Sequence, residues 1–337
     1  MIADNQRILT EIETLLVSNN HFFLGSHVYP DGDNVGSLIA MRMILGQLGK
    51  SSYIFSETMV PKMYAWIPET KYINNDLPQE SCEDFDLIVT VDASDLKRLG
   101  EKFIEWNHCK SIPILNIDHH ITNTNFGDVN WATEDYASTG EQIFELARHL
   151  DVRITKPMAI ALYTSIATDT GSFSYANTNS RTLRYASELV DLGANPNEIF
   201  RNVYANRSLE ALKLESEAFK TFTFIEDMKL GYVYITQEML KQVGATVEES
   251  EGIIEHLGVF GESVRNVMFF KELSTGEIKI SVRTKDGWDA SRLCKIFGGG
   301  GHPKAGGFQL FEPIEKAIEL SLSAIRKAIE EGILPPF

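Results

Sequence analysis

The sequence predicts an α/β protein: a doubly wound, mostly parallel sheet followed by a smaller α+β domain. Three observations carry that expectation. Strand and helix signals alternate through the first half of the chain, the pattern of successive βαβ units. The run Leu87-Ile88-Val89-Thr90-Val91 holds no polar residue larger than threonine, which suits a strand buried on both faces. Beyond Ser208 the strand candidates shift towards apolar/polar alternation, the mark of a largely solvent-facing sheet.

Taken in order, residues 22–26 form a short strand, followed by a loop bearing His27, Asp31 and Asp33. A helix over 35–48 comes next and is stopped by Gly49. Residues 52–55 and 87–91 are further strands, and 111–117 leads as a strand into Asp118. Helices follow over 139–150, 156–168 and 180–192, the last with Gly193 placed to cap it. Residues 208–219 are strong helix formers and read as a connecting helix. Strands over 230–236, 264–270 and 278–283 and helices over 288–297 and 314–331 complete the chain. The division is therefore a first domain over 1–206, a connecting helix over 207–221 and a second domain over 222–337.

A chain of 337 residues is long for one domain, and two is the natural reading. Apolar residues at 43% are enough for real cores. The formal net charge of -16 offers no general basic surface, so long duplex nucleic acid is excluded as a partner. A short anionic substrate remains compatible if metal ions and a few placed Arg and Lys supply positive potential locally. Cys82, Cys109 and Cys294 form no CxxC pair and read as reduced thiols. Residues 1–7 lack the apolar core of a signal peptide. No apolar run approaches the roughly 20 residues of a membrane span. The expectation is a cytoplasmic protein with no membrane partner.

Chemistry concentrates in four clusters: His27-Val-Tyr-Pro-Asp31-Gly-Asp33, Asp92 after the buried strand, Asp118-His119-His120, and Asp169 in Thr168-Asp169-Thr170-Gly171. Each stands at or just past the end of an apolar run, where an open parallel sheet presents ligands to a substrate. Asp31 and Asp33 are two apart and point to different sides in an extended or turn conformation, which suits one carboxylate per metal. Gly32 and Gly36 let the backbone bend into the helix. Asp92 is the natural bridging carboxylate, with His119 and Asp169 completing a second ion's shell. Mixed carboxylate and imidazole donors suit manganese best, with magnesium, cobalt or zinc also accommodated. Two such ions side by side activate water against a phosphate ester. Each piece alone is weak, because a lone Asp-x-Asp is usually a cap or turn. Four clusters in this order are hard to obtain by chance.

These motifs resemble those of the DHH phosphoesterase superfamily, named for the tripeptide at Asp118-His119-His120. The stretches Asp92-Ala-Ser-Asp95-Leu-Lys-Arg98-Leu-Gly100 and Thr168 to Phe173, with Asn177-Thr178 and Arg181-Thr182, are similar to its nano-RNase and pAp-phosphatase branch. The run Phe297-Gly-Gly-Gly-Gly-His302-Pro-Lys-Ala-Gly-Gly307 resembles the glycine-rich signature of the DHH-associated domain. The resemblance implies a DHH catalytic domain over 1–206 and a DHH-associated substrate-binding domain over 222–337. It implies His27, Asp31 and Asp92 on one metal and Asp33, His119 and Asp169 on the other, with Asp92 bridging. His120 then faces the scissile phosphate, and Asp118 orients an imidazole.

For substrate binding it implies Gly299, Gly300, Gly301 and His302 around the end of a nucleotide. Arg283 falls on a terminal phosphate, and Arg98 on the phosphate nearer the metals. Taken alone, the four glycines read as a flexible turn, and Arg283 as a solvated strand-end residue. The two domains would act as a ruler that admits molecules of a few nucleotides. The implied enzyme is a manganese-dependent phosphoric ester hydrolase acting by in-line attack of a metal-bridging hydroxide. It would cut RNA oligomers of two to five residues, including pApA, to mononucleotides, and dephosphorylate 3',5'-bisphosphate nucleotides such as pAp to AMP. The alternatives are a nucleotide-binding sensor without turnover and a DHH hydrolase of another phosphoester such as pyrophosphate. The resemblance also allows a homodimer, although no segment marks an interface.

Overall fold

A computed structural model describes residues 2–107, 112–258, 263–285, 287–301 and 303–336, without the side chains of residues 2–4. Among them, no helix is long and apolar enough to cross a membrane. The chain divides into two compact units, Met1–Asn206 and Arg207–Phe337.

In the first unit the elements run α1 (Ile2–Ser18), β1 (His21–Gly25), α2 (Gly32–Gln47), β2 (Ser51–Phe55), β3 (Ile73–Asn74), β4 (Leu87–Val91), α3 (Glu101–Trp106), β5 (Ile114–Asp118), β6 (Val129–Ala132), α4 (Thr139–His149), α5 (Lys156–Asp169), α6 (Ser180–Asp191) and α7 (Pro196–Val203). The strands pair in the order β3-β2-β1-β4-β5-β6, and every pairing is parallel. From β1 the chain builds outwards in one direction, then returns to β4 and builds in the other. That reversal opens a crevice at the carboxyl ends of β1 and β4, the usual ligand position in such sheets.

Side chains alternate across the sheet as a strand period of two demands. Phe22 and Leu24 enter a core with Leu38, Ile39, Leu162 and Ile166 from α2 and α5. Phe23, between them, joins Phe55, Phe85 and Phe103 on the opposite face. Both faces are therefore covered, and β4 is buried along its whole length.

Residues 32–36 correct one sequence expectation. Gly32 and Gly36 lie inside α2, and neither has a positive φ. They are small because α5 passes so close. A Cβ at Gly36 would meet Ser165 Cβ at 2.9 Å and the Ala161 carbonyl oxygen, and one at Gly32 would meet Thr168 Cγ2 at 2.5 Å. Close packing, and no bend, is what these glycines provide.

The second unit contains α8 (Leu209–Lys220), β7 (Thr223–Ile225), β8 (Leu230–Ile235), α9 (Gln237–Val243), α10 (Ile253–Leu257), β9 (Asn266–Glu272), β10 (Ile278–Thr284), α11 (Ala290–Lys295), β11 (Gly300–Gly301), β12 (Ala305–Leu310) and α12 (Ile314–Glu330). Its sheet has the order β11-β12-β10-β9-β8-β7, with β8 and β9 parallel and the other pairs antiparallel. The sheet is not largely solvent-facing as its sequence texture suggested. In β9, Met268 and Phe270 pack with α11 and α12 on one side. Val267 and Phe269 pack with α8, α9 and α10 on the other. Alternation survives in β10, where Lys279, Ser281 and Arg283 are only partly buried. Cys294 is a buried free thiol within this core. Cys82 is also fully buried. Cys109 lies outside the described residues.

Candidate active site

The carboxyl ends of β1, β4 and β5 deliver His27, Asp92 and Asp118-His119-His120 to the crevice, and α5 ends on Asp169. Asp31 is the N-cap of α2, its Oδ1 accepting the Asn34 N–H at 3.0 Å. Asn34 in turn donates to the Val91 carbonyl at 3.0 Å and accepts from Ser26 Oγ at 2.5 Å. One amide thus joins the ends of the two strands that flank the switch point.

Asp33 is the most completely held acid. Its Oδ2 accepts the Thr139 N–H at 2.8 Å, and its Oδ1 accepts Gly140 N–H at 3.0 Å, Ser165 Oγ at 2.5 Å and Ser37 Oγ at 3.1 Å. The first two donors are the N-terminal amides of α4, where a negative charge is favoured. The approach demands a glycine: a Cβ at Gly140 would collide with Ser165 Oγ. Asp92 is 2% exposed and sits at φ 56°, a left-handed conformation that Asp tolerates at some cost. Its Oδ1 accepts from Thr139 Oγ1 at 3.3 Å.

The histidines face these acids. His27 Nδ1 donates to the Val28 carbonyl at 2.9 Å, which turns Nε2 towards Asp92 Oδ2 at 3.5 Å. Burial is the main cause that lowers the His27 pKa; Asp31 pulls the other way, while the charges of Arg98 and His120 add to the lowering. The ring is kept neutral, the form that ligates metals. His119 Nε2 lies 3.3 Å from Asp169 Oδ2 and 3.6 Å from both Asp33 Oδ2 and Asp92 Oδ1. That nitrogen is buried and has no hydrogen-bond partner. His120 Nδ1 bonds Asp118 Oδ1 at 2.6 Å and lies 3.5 Å from Asp92 Oδ1.

Two groups of donors converge so that all their ligand atoms lie within 4.8 Å of one another: His27 with Asp31 and Asp92, and Asp33 with His119 and Asp169. Asp92, His119 and His120 form a third such group. Burial, followed by repulsion from Asp33 and Asp31, pushes Asp92 and Asp169 well above the usual carboxylate range. Burial also raises Asp33, partly opposed by His119. Burial pushes Asp118 up, but the hydrogen bonds from His120 and Asn123 together with the charges of His120 and His119 outweigh it and hold the carboxyl below that range. A buried unpartnered imidazole nitrogen amid three acids that resist ionising fits divalent cations, whose charge would favour the ionised acids and whose coordination would occupy Nε2.

The chain matches the DHH family, N-terminal domain, over residues 21–166 and the DHHA1 domain over residues 232–331. It carries a DHH domain followed by a DHHA1 domain. Among its relatives is the bifunctional oligoribonuclease and PAP phosphatase NrnA of Thermus thermophilus, 28% identical over 97% of this chain and 95% of that protein. The NrnA of Bacillus subtilis is 25% identical, covering 90% of this chain and 93% of its own. In fold it is similar to the crystal structure of an exopolyphosphatase-related protein from Bacteroides fragilis, with a TM-score of 0.87, 25% identity and 96% of each chain covered. As a DHH phosphoesterase the protein is a phosphoric ester hydrolase, and this family works with divalent metal ions.

Every metal-ligand candidate of the sequence lies in the DHH-matched segment except Asp169, which follows it by three residues. Arg98 also falls there, on a 3-10 turn whose carbonyl accepts the Val28 N–H at 2.7 Å. The remaining substrate candidates lie in the DHHA1 match. Arg283 Nη2 bonds Glu255 Oε1 at 2.8 Å, so its guanidinium is engaged within the second unit. Gly300 and Gly301 pair with Gly307 and Gly306 as a hairpin, in place of a loose turn. A Cβ at Gly299 would strike Phe308 Cβ at 2.6 Å, and Gly301 sits at φ 141°, whereas Gly300 faces open space. His302 lies outside the described residues. Sequence reasoning missed Asn34, Thr139 and Ser165. Ser165 alone carried a local signal, standing one helical turn before Asp169 on the same face.

Proposed function

We propose that this protein is a manganese-dependent phosphoesterase that cuts short oligoribonucleotides, about two to five residues long and including pApA, to mononucleotides. We propose that it also dephosphorylates 3',5'-bisphosphate nucleotides such as pAp to AMP. The observation that carries the reading is the convergence of two donor triads about Asp92, with His119 Nε2 unpartnered between three acids. In this reading His27, Asp31 and Asp92 hold one ion, and Asp33, His119 and Asp169 hold the other, with Asp92 shared. Mixed carboxylate and imidazole donors favour manganese. Two such ions supply positive charge for phosphoryl oxygens and acidify water.

The chain's own groups do the rest. Asp118 accepts the Nδ1 N–H of His120, so Nε2 is the nitrogen that turns to the scissile phosphate or its leaving group. Arg98 adds positive charge beside His27 for a phosphate oxygen. Large apolar side chains stand exposed on three of the site loops: Tyr29 at 75%, Ile121 at 65% and Tyr175 at 54%. A purely inorganic substrate has no use for them, whereas a nucleobase stacks on such surfaces. They favour a nucleotide over pyrophosphate. Arg283 and Gly299 to His302 are the second unit's substrate-binding residues in this proposal, and Arg283 must then exchange Glu255 for phosphate. The names of the NrnA relatives support the same substrate class.

His120→Ala tests the division of labour. The variant should keep its metal content and lose about 10²–10⁴-fold in kcat on pAp and pApA, the usual worth of a positioned acid or base. Unchanged turnover would remove His120 from the chemistry.

A further inference from the structure

Asn123 stands three residues beyond His120, with polar groups at both ends of its side chain. Its Oδ1 accepts the Asn125 N–H at 2.7 Å, which settles which end of the carboxamide is oxygen. The Nδ2 end donates to Asp118 Oδ2 at 2.5 Å and to Asn116 Oδ1 at 2.8 Å, with the Ala93 carbonyl at 3.3 Å. Asn116 is fully buried on β5 and donates to Thr90 Oγ1 at 2.9 Å and to the Ala93 carbonyl at 3.1 Å. A continuous polar chain thus runs from Thr90 on β4 through Asn116, Asn123 and Asp118 to the ring of His120.

The arrangement has a mechanical consequence. Asp118 Oδ1 is occupied by His120 Nδ1. The torsion that swings a carboxyl group is broad and soft, so that bond alone would let carboxylate and imidazole turn together. The second oxygen is where the rotation is stopped, and Asn123 is the group that holds it. An amide is suited to the task, because it donates without bringing a charge that would neutralise the carboxylate. Its own orientation is set from both sides by Asn125 and Asn116.

We infer that Asn123 is a positioning residue: by clamping Asp118 Oδ2 it fixes the plane and the tautomer of His120. The inference rests on the reading that His120 works on the phosphate. The competing role is local, because Asn123 Oδ1 also secures the turn at Asn125, whose φ is 52°.

The test uses full-length protein with manganese and pApA, comparing Asn123→Asp, Asn123→Ala, His120→Ala and the double variant Asn123→Ala/His120→Ala. Asn123→Asp keeps the acceptor for Asn125 and loses the donors to Asp118. Positioning requires both Asn123 variants to lose about 10–100-fold in kcat, the usual cost of removing a group that orients a functional imidazole. KM should stay within about two-fold and metal content unchanged. In the His120→Ala background Asn123→Ala should cost nothing more, because the group it positions is gone. In chelated protein the downfield Nδ1–H proton signal of His120 should broaden or vanish in Asn123→Asp.

Wild-type kcat and an unaltered Nδ1–H signal in Asn123→Asp would overturn the inference in favour of the turn-securing role. Losses that multiply in the double variant would overturn it as well. Wild-type turnover of His120→Ala would instead remove the underlying reading, and the inference with it. If Asn123→Asp does not fold, Asn123→Ser takes its place with the same expectations.

Discussion

Replacing Asp33 by Asn separates what this acid does for the fold from what it does for cations. The carboxylate accepts four hydrogen bonds. Three of them, from Gly140, Ser165 and Ser37, reach the same oxygen, Oδ1. An amide would keep these three and turn its NH2 towards Thr139 N–H. One buried donor is then unsatisfied, at a cost of about 1–3 kcal/mol. Against this, burial and Asp31 already push the Asp33 pKa up, so a neutral group relieves repulsion in the metal-free state. The chelated variant should therefore lose no more than about 1–2 kcal/mol, roughly 2–8 °C for a domain of this size.

The metal response is different in scale. An ion at 100 times its Kd adds about 2.7 kcal/mol, roughly 5–11 °C, and two ions add twice that. The variant should bind one ion per chain and show about half of the wild-type thermal shift. Equilibrium dialysis with elemental analysis gives the stoichiometry, and melting with and without manganese gives the shift. Two ions per chain in Asp33→Asn, at wild-type affinity, would refute the assignment of Asp33 to the second ion.

Tyr29→Ala should raise KM for pApA by roughly 5- to 150-fold, the worth of one stacked base, with kcat little changed; steady-state kinetics on pApA decides it. Burial pushes the Cys294 thiol up to about 12, leaving about one thiolate in 10⁴ at pH 8. Iodoacetamide should leave it unmodified in folded protein and label it in urea, as read by peptide mass. Asp33, Asp92 and Asp169 all have pKa values raised on folding, chiefly by burial. For a raised carboxyl the stabilising contribution is complete below the unfolded pKa, about 4, and is lost as pH climbs through the folded value. Chelated protein should accordingly melt lower at pH 8 than at pH 6, and manganese should reverse the trend because its ligands must be deprotonated. A chelated protein more stable at the higher pH would contradict this.

Much of the site was legible because its signals are local. Asp92 follows Leu87-Ile88-Val89-Thr90-Val91, whose apolar continuity marked β4 at its observed bounds. Asp118-His119-His120 likewise ends a strand, β5, which begins at Ile114; residue 111, where the expected strand began, lies outside the described residues. The groups that hold these ligands were not legible. Thr139 and Ser165 meet Asp33 only because α4 and α5 pack against α2, and sequence separations of more than a hundred residues leave no periodic trace. Asn123 carries no periodic mark either: it reaches Asn116 and Asp118 only because the loop after β5 folds back onto the end of that strand. The strand β6 escaped notice because Val129-Asn130-Trp131-Ala132 is only four residues long and is interrupted by a polar Asn130. In the second unit, texture suggested a wet sheet, but every residue from Asn266 to Lys271 is buried. A continuous apolar run within an otherwise alternating region was the signal, and it outweighs the average.

The most direct measurement is product analysis by chromatography with purified protein and manganese. It offers pAp, pApA, a five-residue RNA and a twenty-residue RNA side by side, with Asp118→Ala/His119→Ala as the inactive control. Mononucleotides from the three short substrates, with the long RNA spared and the control silent, are the expected result. No product from any of them, or cleavage of the twenty-residue RNA as fast as of pApA, would contradict a two-ion phosphoesterase of short nucleotides.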